Sequence, residues 1–203
     1  MAKIFSNLPG SPSVAAVILA AGRSSRMGQA KQLLPLGNTT VLETTIANVQ
    51  RSAASEVVLV LGAAADRIRH QPGIHTVFNP NYEQGMASSL QAGISALSPA
   101  ITAALIVLGD QPFVQPATLD QMISSHHHAG DNILIPTWQG TRGNPVLIPR
   151  NIFPEVMQLE GDTGCRALFG RHPEALQNIE VKDEGILLDI DNQEDYRRLS
   201  ASH

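Results

Sequence analysis

The sequence predicts an α/β fold built as a doubly wound, mostly parallel sheet covered by helices. Three observations carry this. Short β-branched or aliphatic runs alternate along the chain with longer segments of helical spacing. The connections between them are short. The 203 residues, 43% hydrophobic, are enough for one sizeable core, so a single domain over 1–203 is expected, with 1–12 a loose N-terminal extension.

Taken in order, VAAVILA at 14–20 reads as the first strand. The stretch after it is rich in glycine, serine and cations and cannot begin a helix at once, so a long loop runs to about Thr40. Helical spacing then covers 40–51, followed by strands EVVLVLG at 56–62 and HTVFN at 75–79. A helix over 86–97 leads to the strand ALIVLGD at 104–110, and a helix over 116–128 starts at Pro116, a favoured first position. ILIP at 133–136 and PVLIP at 145–149 are strands, 162–171 is a helix opening at Asp162, and NIEV at 178–181 and ILLDID at 186–191 are late strands before a last helix at 193–199.

Charged residues make up 16% of the chain and the net charge is -4, so no field draws in nucleic acid. Cys165 is the single cysteine, which rules out an intrachain disulfide or a redox pair and suggests a reducing compartment. The N-terminus has no continuous apolar core of a signal peptide, and the apolar stretch from Val14 is too short to span a bilayer. A cytoplasmic protein with no membrane partner is expected. His126, His127 and His128 close a helix, where imidazoles suit the negative end of the dipole, and adjacent positions do not share a face for a metal.

In doubly wound sheets ligands bind beyond the carboxyl ends of the strands. The loop after the first strand places Arg23, Arg26 and Lys31 within nine positions among small residues. Backbone N–H groups can approach phosphate oxygens there while the cations neutralise a triphosphate. The loop is neither a Walker loop, since Gln29 and Ala30 follow Gly28, nor a dinucleotide fingerprint. A solvated basic loop is the bland alternative. Asp110 directly follows a buried strand, where its carboxylate would face a cleft and hold a hard cation. If 186–191 is a strand, Asp189 and Asp191 share one face and supply a second acid, although Asp191 would equally serve as a helix cap.

The chain carries L-A-A-G-x-S-x-R-M-G-x-x-K-x-L-L-P-L at 19–36, N-P-x-Y-x-x-G-M-x-S-S-L at 79–90, G-D-Q-P at 109–112, G-N-P-V at 143–146, G-D-x-G-x-R at 161–166 and D-I-D at 189–191. In these motifs it resembles the nucleotidyltransferases related to molybdenum cofactor cytidylyltransferase. The resemblance implies a Rossmann-like fold, Mg²⁺ as cofactor, and transfer of CMP or a related nucleotide from an NTP to the terminal phosphate of a pterin cofactor, with release of pyrophosphate. A molybdoenzyme or its insertion chaperone would then receive the product. Arg26, Lys31 and Asp110 are the expected catalytic residues. Leu19, Ala20, Ala21, Gly22, Arg23, Ser24, Ser25, Gly28, Ser88, Ser89 and Gly109 are the expected nucleotide-binding ones, with Ser88 and Ser89 equally plausible as capping residues. Gly143, Asn144, Gly164 and Arg166 are expected to bind the acceptor, the last two at a helix start that could hold its phosphate or be an ordinary capped helix. Asp110, Asp189 and Asp191 are expected at the metal.

Ala21 favours CTP over GTP, because guanylyl-transferring relatives carry L-A-G-G and one added methyl against a purine costs about 1 to 3 kcal/mol. Many relatives carry G-H-P where this chain has Gly143, Asn144 and Pro145, which leaves the acceptor open. Trp138 and Arg142 offer a flat surface and a cation for a heterocycle, or a structural aromatic. The rival readings are transfer to another phosphorylated acceptor such as a sugar phosphate, and a non-catalytic carrier of a molybdopterin dinucleotide. A nicotinamide oxidoreductase is disfavoured by the missing fingerprint.

Overall fold

The computed structural model describes residues 13–23, 30–69 and 71–200. The expected N-terminal extension over 1–12 lies outside them, as do Ser24, Ser25, Arg26 and Gly28. The described strands are β1 (Val14–Ala20), β2 (Pro35–Leu36), β3 (Thr39–Thr40), β4 (Glu56–Leu61), β5 (His75–Phe78), β6 (Ala103–Leu108), β7 (Ile133–Trp138), β8 (Thr141–Arg142), β9 (Val146–Pro149) and β10 (Leu176–Glu180). The helices are α1 (Val41–Gln50), α2 (Met86–Ser95), α3 (Pro116–Ala129), α4 (Phe153–Val156), α5 (Arg166–Phe169) and α6 (Gln193–Ser200). No helix among the described residues is long and apolar enough to cross a membrane.

The main sheet has the order β10-β7-β9-β6-β1-β4-β5, with β8 paired to β7, while β2 and β3 form a separate small ribbon. β1 lies between β4 and β6 and is parallel to both. β9 runs antiparallel to β6 and β7. The chain between β7 and β9 is too short for the crossover of about a dozen residues that a parallel neighbour needs.

Period-two alternation along β1 splits the core in two. Val14, Ala16, Ile18 and Ala20 pack with Leu42, Ile46 and Val49 of α1 and Leu119, Met122 and Ile123 of α3. On the other face Val17 and Ala21 pack with Ala87, Leu90 and Ile94 of α2 and with Phe153, Val156 and Leu168. Helices therefore cover both faces, and the carboxyl ends of β1, β4 and β6 emerge along one edge. α1 begins at Thr40 with a reciprocal cap, the Thr40 hydroxyl accepting from the Glu43 N–H while Glu43 accepts from the Thr40 N–H.

Three expectations need correction. The run 186–191 is not a strand: Glu184–Leu187 coil into a 3₁₀ turn, and the Ile186 carbonyl accepts from the Asn144 N–H at 3.0 Å instead of joining the sheet. Buried Asp183 fixes that turn by accepting from the Gly185 N–H at 2.9 Å, and it also accepts from the Gln115 N–H at 2.9 Å and the Thr118 hydroxyl at 2.6 Å at the start of α3. The helix expected over 162–171 shrinks to α5, with Cys165 and not Asp162 at its cap. Residues before it are held against α2, where the Gly161 carbonyl accepts from the Ala87 N–H at 3.2 Å. A Cβ on Gly85, whose φ is +106°, would lie 2.3 Å from the Gly161 carbonyl carbon, so this junction requires glycine. Finally, the strand expected to end at Asp110 ends at Leu108, which leaves Asp110 clear of the sheet.

Candidate active site

A cleft of about 520 Å³ opens at the carboxyl edge and is lined by residues of the β1 loop, the segment before α2, and the turn after β6. Of the residues expected to bind nucleotide, Leu19, Ala21, Gly22, Arg23, Ser89 and Gly109 line it, together with Lys31 and Asp110. Ala20 and Ser88 do not. Ala20 is buried in the core, and the Ser88 hydroxyl donates to the carbonyls of Asn81 and Gly85 at 2.8 and 2.9 Å, so it fixes the loop before α2. Gly109 is small for packing reasons, since a Cβ there would sit 2.9 Å from the Leu19 carbonyl oxygen.

The charged centre is Lys31, at the start of a 3₁₀ turn. Its ammonium pairs with Asp110 and, at 2.9 Å, with Oδ1 of Asp191. Burial opposes its charge, but Asp110 and then Asp191 outweigh burial by charge and hydrogen bonding and hold the ammonium above the ordinary lysine pKa. Asp189 behaves differently. Burial first, and then the neighbouring Asp110 charge, push its carboxyl up to about 6, against a hydrogen bond from Gln111. Although 186–191 is not a strand, both acids still reach the Asp110 edge, because the Ile190 N–H donates to the Asp110 carbonyl at 3.2 Å.

A second cleft, about 420 Å³, adjoins the first and shares Leu19, Met86, Leu108 and Asp162 with it. Asn144, Gly164, Arg166 and Asp189 line this second cleft. Gly143 does not. It is buried, and a Cβ on it would lie 2.4 Å from the Ile186 carbonyl oxygen, so its role is to let two loops touch. The helix start expected at 161–166 is shortened, since α5 has only four residues, but Gly164 and Arg166 still line this cleft. Trp138 and Arg142 line neither cleft, and the Arg142 Nε donates to Asn178 at 3.0 Å.

Of the lining residues that sequence did not single out, four shape the clefts most directly. Gln32 is buried and donates to the carbonyls of Ala20 and Gly22 at 3.4 and 3.2 Å, bracing the loop that carries Arg23. Tyr82 lies under the Arg23 guanidinium at 5.7 Å, and Glu83 pairs with Arg23 across the mouth of the first cleft. Met86 forms part of the wall between the clefts. All four sit in or beside the quoted motifs, which was the available signal.

Residues 16–176 match the MobA-like NTP transferase domain. The chain belongs to this family. This MobA-like NTP transferase is 31% identical to the molybdenum cofactor cytidylyltransferase of Escherichia coli (strain K12), over 89% of this chain and 92% of that protein. It is also 31% identical to the nicotine blue oxidoreductase of Paenarthrobacter nicotinovorans, over 93% and 97% of the two chains. Among solved structures it is similar to Rv0371c of Mycobacterium tuberculosis H37Rv, with a TM-score of 0.85 and 35% identity over 94% of this chain and 98% of that one. The crystal structure of Rv0371c in complex with manganese matches at a TM-score of 0.82 and 33% identity, over 94% and 100% of the chains.

Proposed function

We propose that this MobA-like NTP transferase moves CMP from CTP to the terminal phosphate of molybdopterin in the cytoplasm, releasing pyrophosphate, with Mg²⁺ as its cation. The carrying observation is the Lys31 ammonium held between Asp110 and Asp191 where a triphosphate-sized cleft meets a second one. The 31% identity to the E. coli cytidylyltransferase supports the choice of substrates.

The donor set suits a hard cation. Two carboxylates, Asp110 and Asp191, already converge on one positive charge, and Mg²⁺ takes one or two carboxylates with water and phosphate oxygens for the rest. Bound there, it would supply positive charge to the triphosphate. The nucleophile is a phosphate monoester oxygen that is anionic at neutral pH, so no general base is needed. Lys31, kept protonated by its two partners, stabilises the charge that grows on the departing pyrophosphate, and Arg26 is assigned the same task from the sequence. Small side chains at Ala21 and Gly22 let the nucleotide approach the backbone. The second cleft aligns the acceptor phosphate with the α-phosphorus, the step in which positioning contributes most.

A second reading keeps the nucleotide half and changes the acceptor. It is favoured by Asn144 standing where many relatives carry histidine. Thermal melting with CTP, GTP, ATP and UTP, each with and without Mg²⁺, tests the shared half. A ligand at about 100 times its Kd adds roughly 2.7 kcal/mol, which means several degrees for a chain of this size. The expected result is a Mg²⁺-dependent shift that is largest with CTP and absent in Asp110→Ala. An equal shift with all four nucleotides would remove the cytidylyl preference, and no shift with any would remove the nucleotide site.

A further inference from the structure

Asp189 and Asp191 are two residues apart yet serve different clefts. Asp191 reaches Lys31 beside Asp110. Asp189 lines the second cleft with Asn144 and is absent from the lining of the first. Among the described residues Gln111 is the one side chain donating to Asp189, and it engages Oδ1 alone. Gln111 is 1% exposed, so water does not compete for this contact. Its amide also reaches the Ile186 carbonyl at 3.5 Å, and the same carbonyl accepts the Asn144 N–H at 3.0 Å. One peptide oxygen thus fixes the carboxylate and the main chain of Asn144 relative to each other. The Asn144 side-chain amide makes no hydrogen bond among the described residues and lines the same cleft, above an apolar floor of Leu90, Ile106, Leu108 and Val146.

An apolar floor suits the face of a flat ring. A carboxylate oxygen accepts N–H donors, and a carboxamide offers one acceptor and two donors beside it. The matching ligand edge has adjacent N–H groups next to a carbonyl, as in a 2-amino-4-oxopyrimidine ring. We infer that Asp189 and Asn144 read the N–H edge of the acceptor's heterocycle, and that Asp189 is not a metal ligand. This rests on the proposed use of the second cleft for the acceptor.

The test is fluorescence titration of wild type, Asp189→Asn and Asn144→Ala with a 2-amino-4-oxopteridine carrying a phosphorylated side chain, and with its 2,4-dioxo counterpart. In parallel, the melting shift given by CTP with Mn²⁺ is recorded for Asp189→Asn and Asp191→Asn. Wild type should prefer the 2-amino compound about 10- to 100-fold, the range for losing a hydrogen bond to a charged group. Both cleft variants should lose most of that preference. The Mn²⁺-dependent shift should survive in Asp189→Asn and disappear in Asp191→Asn. Equal binding of the two pteridines by wild type, no pteridine binding, or loss of the Mn²⁺-dependent shift in Asp189→Asn would each overturn the assignment. Should Asp189→Asn fail to fold, Asn144→Ala carries the selectivity test alone. Failure to release pyrophosphate from CTP and molybdopterin, with pteridine selectivity intact, would sink the proposed reaction and leave this inference standing.

Discussion

Lys31 is held by Asp110 and Asp191, so removing its side chain leaves two carboxylates facing each other across a gap. Lys31→Ala is expected to fold, as read by circular dichroism, and to lose about 10²- to 10³-fold in turnover, the usual cost of deleting one donor that stabilises transition-state charge. Wild-type turnover would take Lys31 out of the mechanism. His126 tests a different property. It is buried in α3 and its Nδ1 has no partner among the described residues; burial first, then the charge of His127, lower its pKa below 6.5, against Asp131. The folded state therefore binds fewer protons than the unfolded one as pH falls through about 6.5, and stability is lost in that direction. Urea midpoints at pH 7.5 and 5.5 should differ less in His126→Leu than in wild type; an unchanged difference would mean that other groups set the dependence. Burial pushes the Cys165 thiol up to about 12, which agrees with a packed residue, and it should resist alkylation at pH 8 until the chain is unfolded. At this scale Lys31 and Asp110 were legible because cations and acids at strand ends have few other uses. Gln111 and Gln32 were not, because an amide's partners depend on which loops meet it in space.

Elements divide the same way. The aliphatic runs of β1, β4 and β6 were readable because a strand buried on both faces is continuous and ends in glycine or a turn. The run 186–191 carries the same aliphatic signal, but its backbone bonds go to Asn144 and Asp110 and its start is pinned by Asp183, facts that sequence spacing does not contain. The reciprocal cap at Thr40 is worth about 1 kcal/mol, and Thr40→Ala should lower stability by that amount without changing nucleotide affinity. Gly143→Ala is expected to be worse, since its Cβ would meet the Ile186 carbonyl oxygen at 2.4 Å and push apart the loops that fix Asn144 and Asp189. A melting temperature equal to wild type in Gly143→Ala would show that the contact can yield freely.

Across the whole molecule, parallel strands bring the ends of β1, β4 and β6 to one edge, and this is why motifs scattered from Leu19 to Asp191 converge on two adjoining clefts. The first cleft was the more legible, since Leu19, Ala21, Gly22, Arg23, Lys31 and Asp110, all named from sequence, line it. The second cleft was less so, because Gly143, read as a ligand contact, joins two loops and lines neither cleft, while Gly164 and Arg166 do line it and the partition made by Met86 and Asp162 depends on α2 meeting the 161–166 segment. Nucleotidyl transfer to molybdopterin must release pyrophosphate, and pyrophosphate formation from each of the four NTPs with molybdopterin and Mg²⁺ measures it. Release is expected to require molybdopterin, to be fastest with CTP and to vanish in Asp110→Ala; no molybdopterin-dependent release with any nucleotide would exclude the proposed reaction.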